Sequence, residues 1–220
     1  MQSLLAVAAH PDDESFLFGG ALALHARRGD RVALLCLTDG QAGRTGDVCA
    51  REELGRVRRA ELERATDRLG IADLFCPGLD DGKLSLVSDD DGARIVDEHA
   101  QRIGADVLLT FGPEGASGHA DHKACWRWTN RAAGARAIYA ATFPESMWPV
   151  KGGTPLSVTT MIDVSELGDL KRRAFLEHRT QIDHLELFDK ILGEFDGKEY
   201  YHRVVPAWPQ GASIERGFSS

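Results

Sequence analysis

Two short polar clusters hold the residues best suited to chemistry in this chain of 220 residues. The first, Ala9-His10-Pro11-Asp12-Asp13-Glu14, gathers an imidazole and three carboxylates; the second, Gly118-His119-Ala120-Asp121-His122, adds two imidazoles and a further carboxylate. A catalytic zinc site draws three protein ligands from His, Asp and Glu and keeps one position open for water. His10, Asp13 and His122 would suffice for such a set. That leaves Asp12 and His119 without metal duty. A carboxylate beside an activated water can take its proton, while a histidine on the far side stabilises an oxyanion or protonates a departing amine. Each residue also has a plainer use. Pro11 can end a strand, Asp12 or Asp13 can cap a helix, Glu14 suits the dipole of a first turn, and each histidine can be a hydrogen-bonded loop residue. Those uses explain the residues singly. They do not explain why two such clusters coincide in a chain with eight histidines.

Both clusters fall where an apolar run gives way to helical spacing. Residues 4–9 have the length and flanks of a buried strand and 15–28 repeat apolar residues at helical spacing, so His10 stands where a strand ends and a helix begins. Residues 31–38 then form a second buried strand. The loop Asp39-Gly40-Gln41-Ala42-Gly43-Arg44-Thr45-Gly46 follows, its glycines not in the G-x-G-x-x-G order of a phosphate loop; it either walls the site or merely connects. Further along come a helix over 51–69, a strand over 72–76, a loop over 77–91, a helix over 93–103 and a strand over 105–111. The second cluster opens a helix over 119–133, and 136–141 is a fifth strand. Asp89-Asp90-Asp91-Gly92 lacks the glutamate that closes a calcium loop and reads as a solvated turn and helix start. Beyond residue 142 lie a loop over 143–155, an alternating strand over 157–164, and helices over 166–178 and 184–195. The expected fold is therefore α/β: a Rossmann-like three-layer sandwich of about five parallel strands, with ligands at the carboxyl edge of the sheet. One domain spans 1–220, with a core over 1–142 and a C-terminal strand and helix elaboration over 143–220.

Composition narrows the partners. A hydrophobic fraction of 43% and a charged fraction of 27% are those of a soluble globular protein. No apolar run approaches the roughly 20 residues that span a bilayer, so membrane insertion is not expected. Met1-Gln2-Ser3 runs into the first strand with no basic region, so no secretory signal is read and a cytoplasmic location is expected. A net charge of −8, with basic residues interleaved among acidic ones, disfavours a nucleic-acid partner and favours a small molecule. The sequence neither requires nor excludes a homo-oligomer. Cys36, Cys49, Cys76 and Cys125 show no short-spaced pair and are expected to be reduced and structural.

With these motifs the chain resembles a known family, the zinc-dependent N-deacetylases that act on N-acetylglucosaminyl-phosphatidylinositol and on the precursors of mycothiol and bacillithiol. The two clusters look like its signature motifs. Further likeness runs through Leu37-Thr38-Asp39-Gly40-Gln41-Ala42-Gly43, Val57-Arg58-Arg59-Ala60-Glu61-Leu62, Asp81-Gly82 and residues 171–181. The resemblance implies zinc, or another divalent metal, on His10, Asp13 and His122, with Asp12 as general base. It implies His119 as oxyanion stabiliser or general acid, Asp121 orienting His119, and Arg58 and Asp81 on the polar groups of the substrate, though a plain salt bridge would also account for Arg58. The implied reaction is deacetylation of an N-acetylglucosamine-containing small molecule. The alternatives are an amidase for a larger thiol or antibiotic conjugate at the same site, and a non-catalytic Rossmann-like ligand-binding module. Two positions depart from the family pattern. Ala120 replaces a frequent proline, and Ser117 stands where the mycothiol-precursor enzymes carry a tyrosine, which counts against that substrate.

Overall fold

The structure, a computed structural model, describes residues 1–147 and 155–219. Five parallel strands come first: β1 Ser3–Ala8, β2 Arg31–Cys36, β3 Asp73–Phe75, β4 Val107–Phe111 and β5 Ala137–Thr142. Two antiparallel strands, β6 Thr160–Asp163 and β7 Lys198–Val205, extend the sheet beyond β5, giving the order β3-β2-β1-β4-β5-β7-β6. The helices are α1 Gly19–Arg27, α2 Leu54–Leu69, α3 Asp89–Ile103, the single turn α4 Gly115–Gly118, α5 Ala120–Arg131, α6 Gly168–Phe175 and α7 Leu185–Glu194.

The two-residue period of a strand accounts for the layers. Leu4, Ala6 and Ala8 of β1 join one apolar cluster with Leu22 of α1, Leu62 of α2 and Ala174 of α6. Leu5, Val7 and Ala9 join the other with Val96 of α3 and Trp128 of α5. A strand covered on both faces favours apolar residues, and all six of β1 are buried, with only Ser3 at its start polar and its hydroxyl donating to the Ile103 carbonyl. The expected three-layer, mostly parallel sandwich is the fold of this chain. Strand order reverses between β1 and β4, so the crevice outside their carboxyl ends is the place such sheets use for ligands.

Several local expectations change. The helix expected over 15–28 is divided: a wide turn, Glu14–Phe18, precedes α1, and Phe18 leaves the helical region with φ −120° and ψ −13°. The acidic run at 89–91 is a helix start, with Ser88 Oγ accepting from the Asp91 N–H at 3.1 Å and three aspartates in the first turn. The strand expected over 157–164 shortens to Thr160–Asp163, and β7 has no counterpart in the sequence reading. Its inward side chains are Glu199 and Tyr201, so its core face does not read as apolar. Of the loop expected over 143–155, residues 148–154 lie outside the described residues; Glu145–Met147 forms a single tight turn. All four cysteines are free.

Candidate active site

The two polar clusters meet in that crevice. His122 Nε2 lies 3.3 Å from His10 Nδ1 and 3.2 Å from Asp13 Oδ1, and His10 Nδ1 lies 3.5 Å from Asp13 Oδ2. Hydrogen bonding on the far side of each ring fixes what these atoms are. His122 Nδ1 donates to the Gly115 carbonyl at 2.9 Å, so its Nε2 carries a lone pair. His10 Nε2 faces Asp81 Oδ1 at 3.1 Å and Asp121 Oδ2 at 3.3 Å, which places its proton there and turns the Nδ1 lone pair inward. The two ring nitrogens and the Asp13 carboxylate, Oδ1 toward His122 and Oδ2 toward His10, thus converge with no proton between them when both rings are neutral. Their separations match the edges of a tetrahedral zinc site, roughly 3.3–3.6 Å for bonds of about 2.0–2.2 Å. The surroundings favour positive charge: burial opposes it on His10, yet Asp121, Asp13 and Asp81 outweigh burial and hold this imidazole well above its ordinary range. Asp13 is held well below the usual carboxylate range, burial being overcome by His122 and His10.

Two other groupings bring possible ligand atoms within 4.8 Å of one another, His10 with His119 and His122, and His10 with Asp81 and Asp121. The second is better understood as an outer layer. Asp121 already accepts from the Gly82 and Leu84 N–H groups at 2.7 and 3.1 Å, and Asp81 Oδ2 from the Ala42 N–H at 2.8 Å. Their approach to the outer nitrogen of His10 is the usual way a carboxylate orients a metal-binding imidazole.

Asp12 sits beside this centre in a backbone conformation that side chains rarely adopt, φ +116°. Such a conformation costs on the order of 1–3 kcal/mol and needs external restraint. Its N–H donates to Glu14 Oε2 at 3.0 Å, and its carbonyl accepts from Ser15 and Phe16 at 3.0 and 3.1 Å. Glu14 is itself clamped: His178 Nε2 lies 2.7 Å and Ser15 Oγ 2.6 Å from its Oε1, both residues of the Glu14–His178 pair being fully buried. Burial works against both charges, yet each partner sustains the other, Glu14 below and His178 above its ordinary value. Burial also pushes the Asp12 carboxyl up to about 6, with the Arg58 guanidinium pulling the other way.

Arg58 is buried on the floor, 3.4 Å from Asp12 Oδ2, and donates to the Gly40 carbonyl at 3.0 Å and to the Pro11 carbonyl. Two of the loop's three glycines, Gly40 and Gly43, stand against this guanidinium, and the third, Gly46, against the Thr180 backbone. A Cβ on Gly40 or Gly43 would stand 2.3 or 2.5 Å from Arg58 Nη1, so only glycine lets the loop wrap it. The loop therefore does wall the cavity, where Gly43 is a lining residue.

His119 caps α5 and is exposed, with Nδ1 accepting from the Asp121 N–H at 3.2 Å. That bond leaves the proton of a neutral ring on Nε2. Burial, then the imidazoles of His10 and His122, hold His119 below its ordinary value. The carboxylate of Asp121 faces His10 rather than His119, unlike the arrangement the resemblance implies; only its backbone touches His119. Ser117 lines the same cavity, and Ala116 beside it has φ +55°. The cavity holds about 380 Å³, and its outer wall includes Phe143, Gln181, His184, Leu187 and Ile191, none of which the motifs point to. Gln181 lies in the stretch 171–181 that carries the family likeness; the apolar wall residues have no local signal that separates them from core.

The profile described as "PIG-L: GlcNAc-PI de-N-acetylase" matches residues 5–133, more than half of the chain. The chain belongs to this family. A probable N-acetyl-alpha-D-glucosaminyl L-malate deacetylase 2 of Bacillus subtilis (strain 168) is 31% identical over 202 residues, covering 86% of this chain and 89% of the relative. Among solved structures, an N,N'-diacetylchitobiose deacetylase from Pyrococcus horikoshii superposes with a TM-score of 0.72 at 19% identity, covering 92% of this chain and 84% of its own. A 4-carboxy-2-hydroxymuconate hydratase from Pseudomonas putida KT2440 superposes with a TM-score of 0.75 at 19% identity, covering 97% and 100%. The architecture is thus shared with a protein named for a different reaction, and the fold by itself does not choose the chemistry. Among the described residues no helix is long and apolar enough to cross a membrane.

Proposed function

We propose that this family member is a metal-dependent N-deacetylase that hydrolyses the acetamide of an N-acetylglucosamine-containing small molecule. The observation that carries the reading is the convergence of His10 Nδ1, His122 Nε2 and the Asp13 carboxylate, the two nitrogens 3.3 Å apart, Oδ1 3.2 Å from His122 and Oδ2 3.5 Å from His10. Those three residues would hold the metal, and two imidazoles with one carboxylate suit zinc, although other divalent ions take the same donors. When bound, the metal supplies Lewis acidity toward water and the amide carbonyl.

The chain's own groups do the rest. Asp12 lies at the lip of the centre with its backbone pinned and its carboxylate against Arg58. It takes the proton of the attacking water and returns it to the departing nitrogen, the step an acetamide needs because its amine leaves poorly as an anion. His119, its ring 4.8 Å from that of His10 and 5.0 Å from that of His122, presents Nε2–H to the cavity and donates to the developing oxyanion as a neutral imidazole, which its lowered pKa favours. Asp121 and Asp81 hold the ring of His10 in register. Arg58, with Gly40, Pro11 and Asp12 already on its guanidinium, fixes Asp12 and the floor rather than reaching for a distant sugar hydroxyl.

The test is acetate release from methyl N-acetylglucosaminide by the zinc-loaded protein. Release that a chelator stops and zinc restores is the expected result. No release from any N-acetylated glucosaminide would reject the reading.

A further inference from the structure

Gln181 is a buried amide with one end tied and the other free. It is 4% exposed and lines the active-site cavity from the outer wall. Its Nε2 donates to the Arg44 carbonyl and to Thr180 Oγ1, both at 3.1 Å. A backbone carbonyl can only accept, so nitrogen must be the end of the amide that faces Arg44, and Oε1 is the end left for the cavity. Among the described residues nothing donates to Oε1.

The tied end is held by a relay that reaches into the protein. Thr180 donates its N–H and its hydroxyl to the two carboxylate oxygens of Glu61, at 3.0 and 2.6 Å, and Glu61 lies on α2 at 1% exposure. With its proton committed to Glu61, the Thr180 hydroxyl oxygen can only accept from Gln181, which fixes the direction of the amide a second time. Gly46 lets the loop that carries Arg44 lie against the Thr180 backbone, where a Cβ would stand 2.7 Å from the carbonyl oxygen. A long side chain loses rotamer freedom when it is held in this way, so the relay opposes an entropy cost that an unbonded glutamine would not bear.

An amide oxygen fixed in place and left without a donor does little for stability, since an enclosed acceptor that goes unpaired costs free energy. It suits a site that reads a donor arriving with a ligand, because an analogue lacking that donor leaves the acceptor unpaired. The bonds of Gln181 run to Arg44, Thr180 and, through its own N–H, to the His178 carbonyl, and none of them to His10, Asp12, Asp13 or His122. The donor it meets therefore belongs to a part of the substrate beyond the reacting acetamide. On a glucosaminide that part carries hydroxyl groups.

We infer that Gln181 is a specificity-determining residue, its Oε1 accepting a hydrogen bond from a hydroxyl of the sugar and so favouring an N-acetylated sugar over a simple acetamide. This rests on the deacetylase reading for the identity of the ligand, and not for the orientation of the amide.

The test compares methyl glucosaminide, the amine product, with its 3-, 4- and 6-deoxy counterparts in calorimetric titrations of the zinc-loaded protein. At least one deoxy sugar should bind about 5- to 50-fold more weakly than the parent sugar. Gln181→Met, which keeps the length of the side chain and removes the acceptor, should bind that sugar and its parent alike, with zinc content unchanged. Gln181→Asn, which keeps the amide but withdraws it by one methylene, should lose the same discrimination. Equal binding of all the sugars by the wild type, or wild-type discrimination in either variant, would overturn the inference. The N-acetylated forms are then assayed for acetate release. If none is hydrolysed while the binding pattern holds, the deacetylase reading falls and the role of Gln181 stands. If the wild type hydrolyses all of them with equal kcat/KM, the reaction stands and the role of Gln181 falls.

Discussion

Two buried clusters of charge in this molecule differ in one respect that matters. Around Glu199 every acceptor is supplied: Oε1 accepts from the Gly20 N–H at 2.8 Å and Lys171 Nζ at 2.6 Å, Oε2 from the Ala21 N–H at 2.9 Å and Tyr201 Oη at 2.8 Å. Four donors meet one carboxylate, one ammonium offsets its charge, and the cluster fastens β7 to the first turn of α1. Around His10 the balance is reversed. With both rings neutral, the inward nitrogens of His10 and His122 and the carboxylate of Asp13 face one another as acceptors, and the carboxylates of Asp12, Asp13, Asp81 and Asp121 outnumber the fixed cation Arg58, which is why the His10 imidazole is held well above its ordinary range. A buried polar cluster with all its hydrogen bonds made can hold a fold together; one whose acceptors are turned on each other is arranged for a ligand that brings positive charge.

Substitutions in the two clusters should therefore fail in different ways. The largest effect is expected for Asp12→Asn, which removes the proton carrier without removing a metal donor. Its kcat/KM on an N-acetylglucosaminide should fall by about 10²–10⁴-fold with zinc content unchanged, as steady-state kinetics and elemental analysis on one preparation will show. Loss of zinc in this variant would mean that Asp12 belongs among the ligands. Next comes Glu199→Ala, which strands the buried ammonium of Lys171. Urea denaturation should report a loss of about 3–5 kcal/mol, with the folded fraction still binding zinc. An equally stable Glu199→Ala protein would erase the contrast between the clusters.

Smaller effects sharpen the division. His119→Ala should lower kcat by about 10²-fold, the cost of one oxyanion donor, and leave both zinc content and stability near those of the parent. Full-rate turnover would remove His119 from the reaction. His178→Phe fills the same space but withdraws the donor that holds Glu14, and through it the Asp12 backbone. Because the Glu14 carboxylate is left buried without its cation but keeps the Ser15 hydroxyl and the Asp12 N–H, the variant should lose on the order of 3 kcal/mol of stability in a urea titration and some activity as well. A variant of unchanged stability would show that the clamp is not needed to hold Asp12 at φ +116°.

How much of this was legible beforehand follows from how local each feature is. The parallel half of the sheet was readable because a strand buried on both faces must be largely apolar, as 4–8 are throughout and 107–111 are but for Thr110. The two polar clusters were readable because each is a short run of neighbouring residues, the first just past β1 and the second at the start of α5. β7 was not, since the residues it turns inward are Glu199 and Tyr201, and only Lys171 and the amides of α1 make that burial tolerable. The orientation of Asp121 depends on the amides of Gly82 and Leu84, 39 and 37 residues away, and no spacing rule reports it. The Glu14–His178 pair spans 164 residues. The division of labour within α7, Phe188 to the core and Leu187 to the cavity, emerges only when the helix is docked.

The central claim is that the converging acceptors of His10, Asp13 and His122 await a metal. Equilibrium dialysis of metal-free protein against zinc, followed by elemental analysis, tests it most directly. The wild type should retain about one zinc per chain, as should Glu199→Gln, while His10→Ala and His122→Ala retain none above background. Undiminished zinc in either histidine variant, or no zinc in the wild type, would contradict the account.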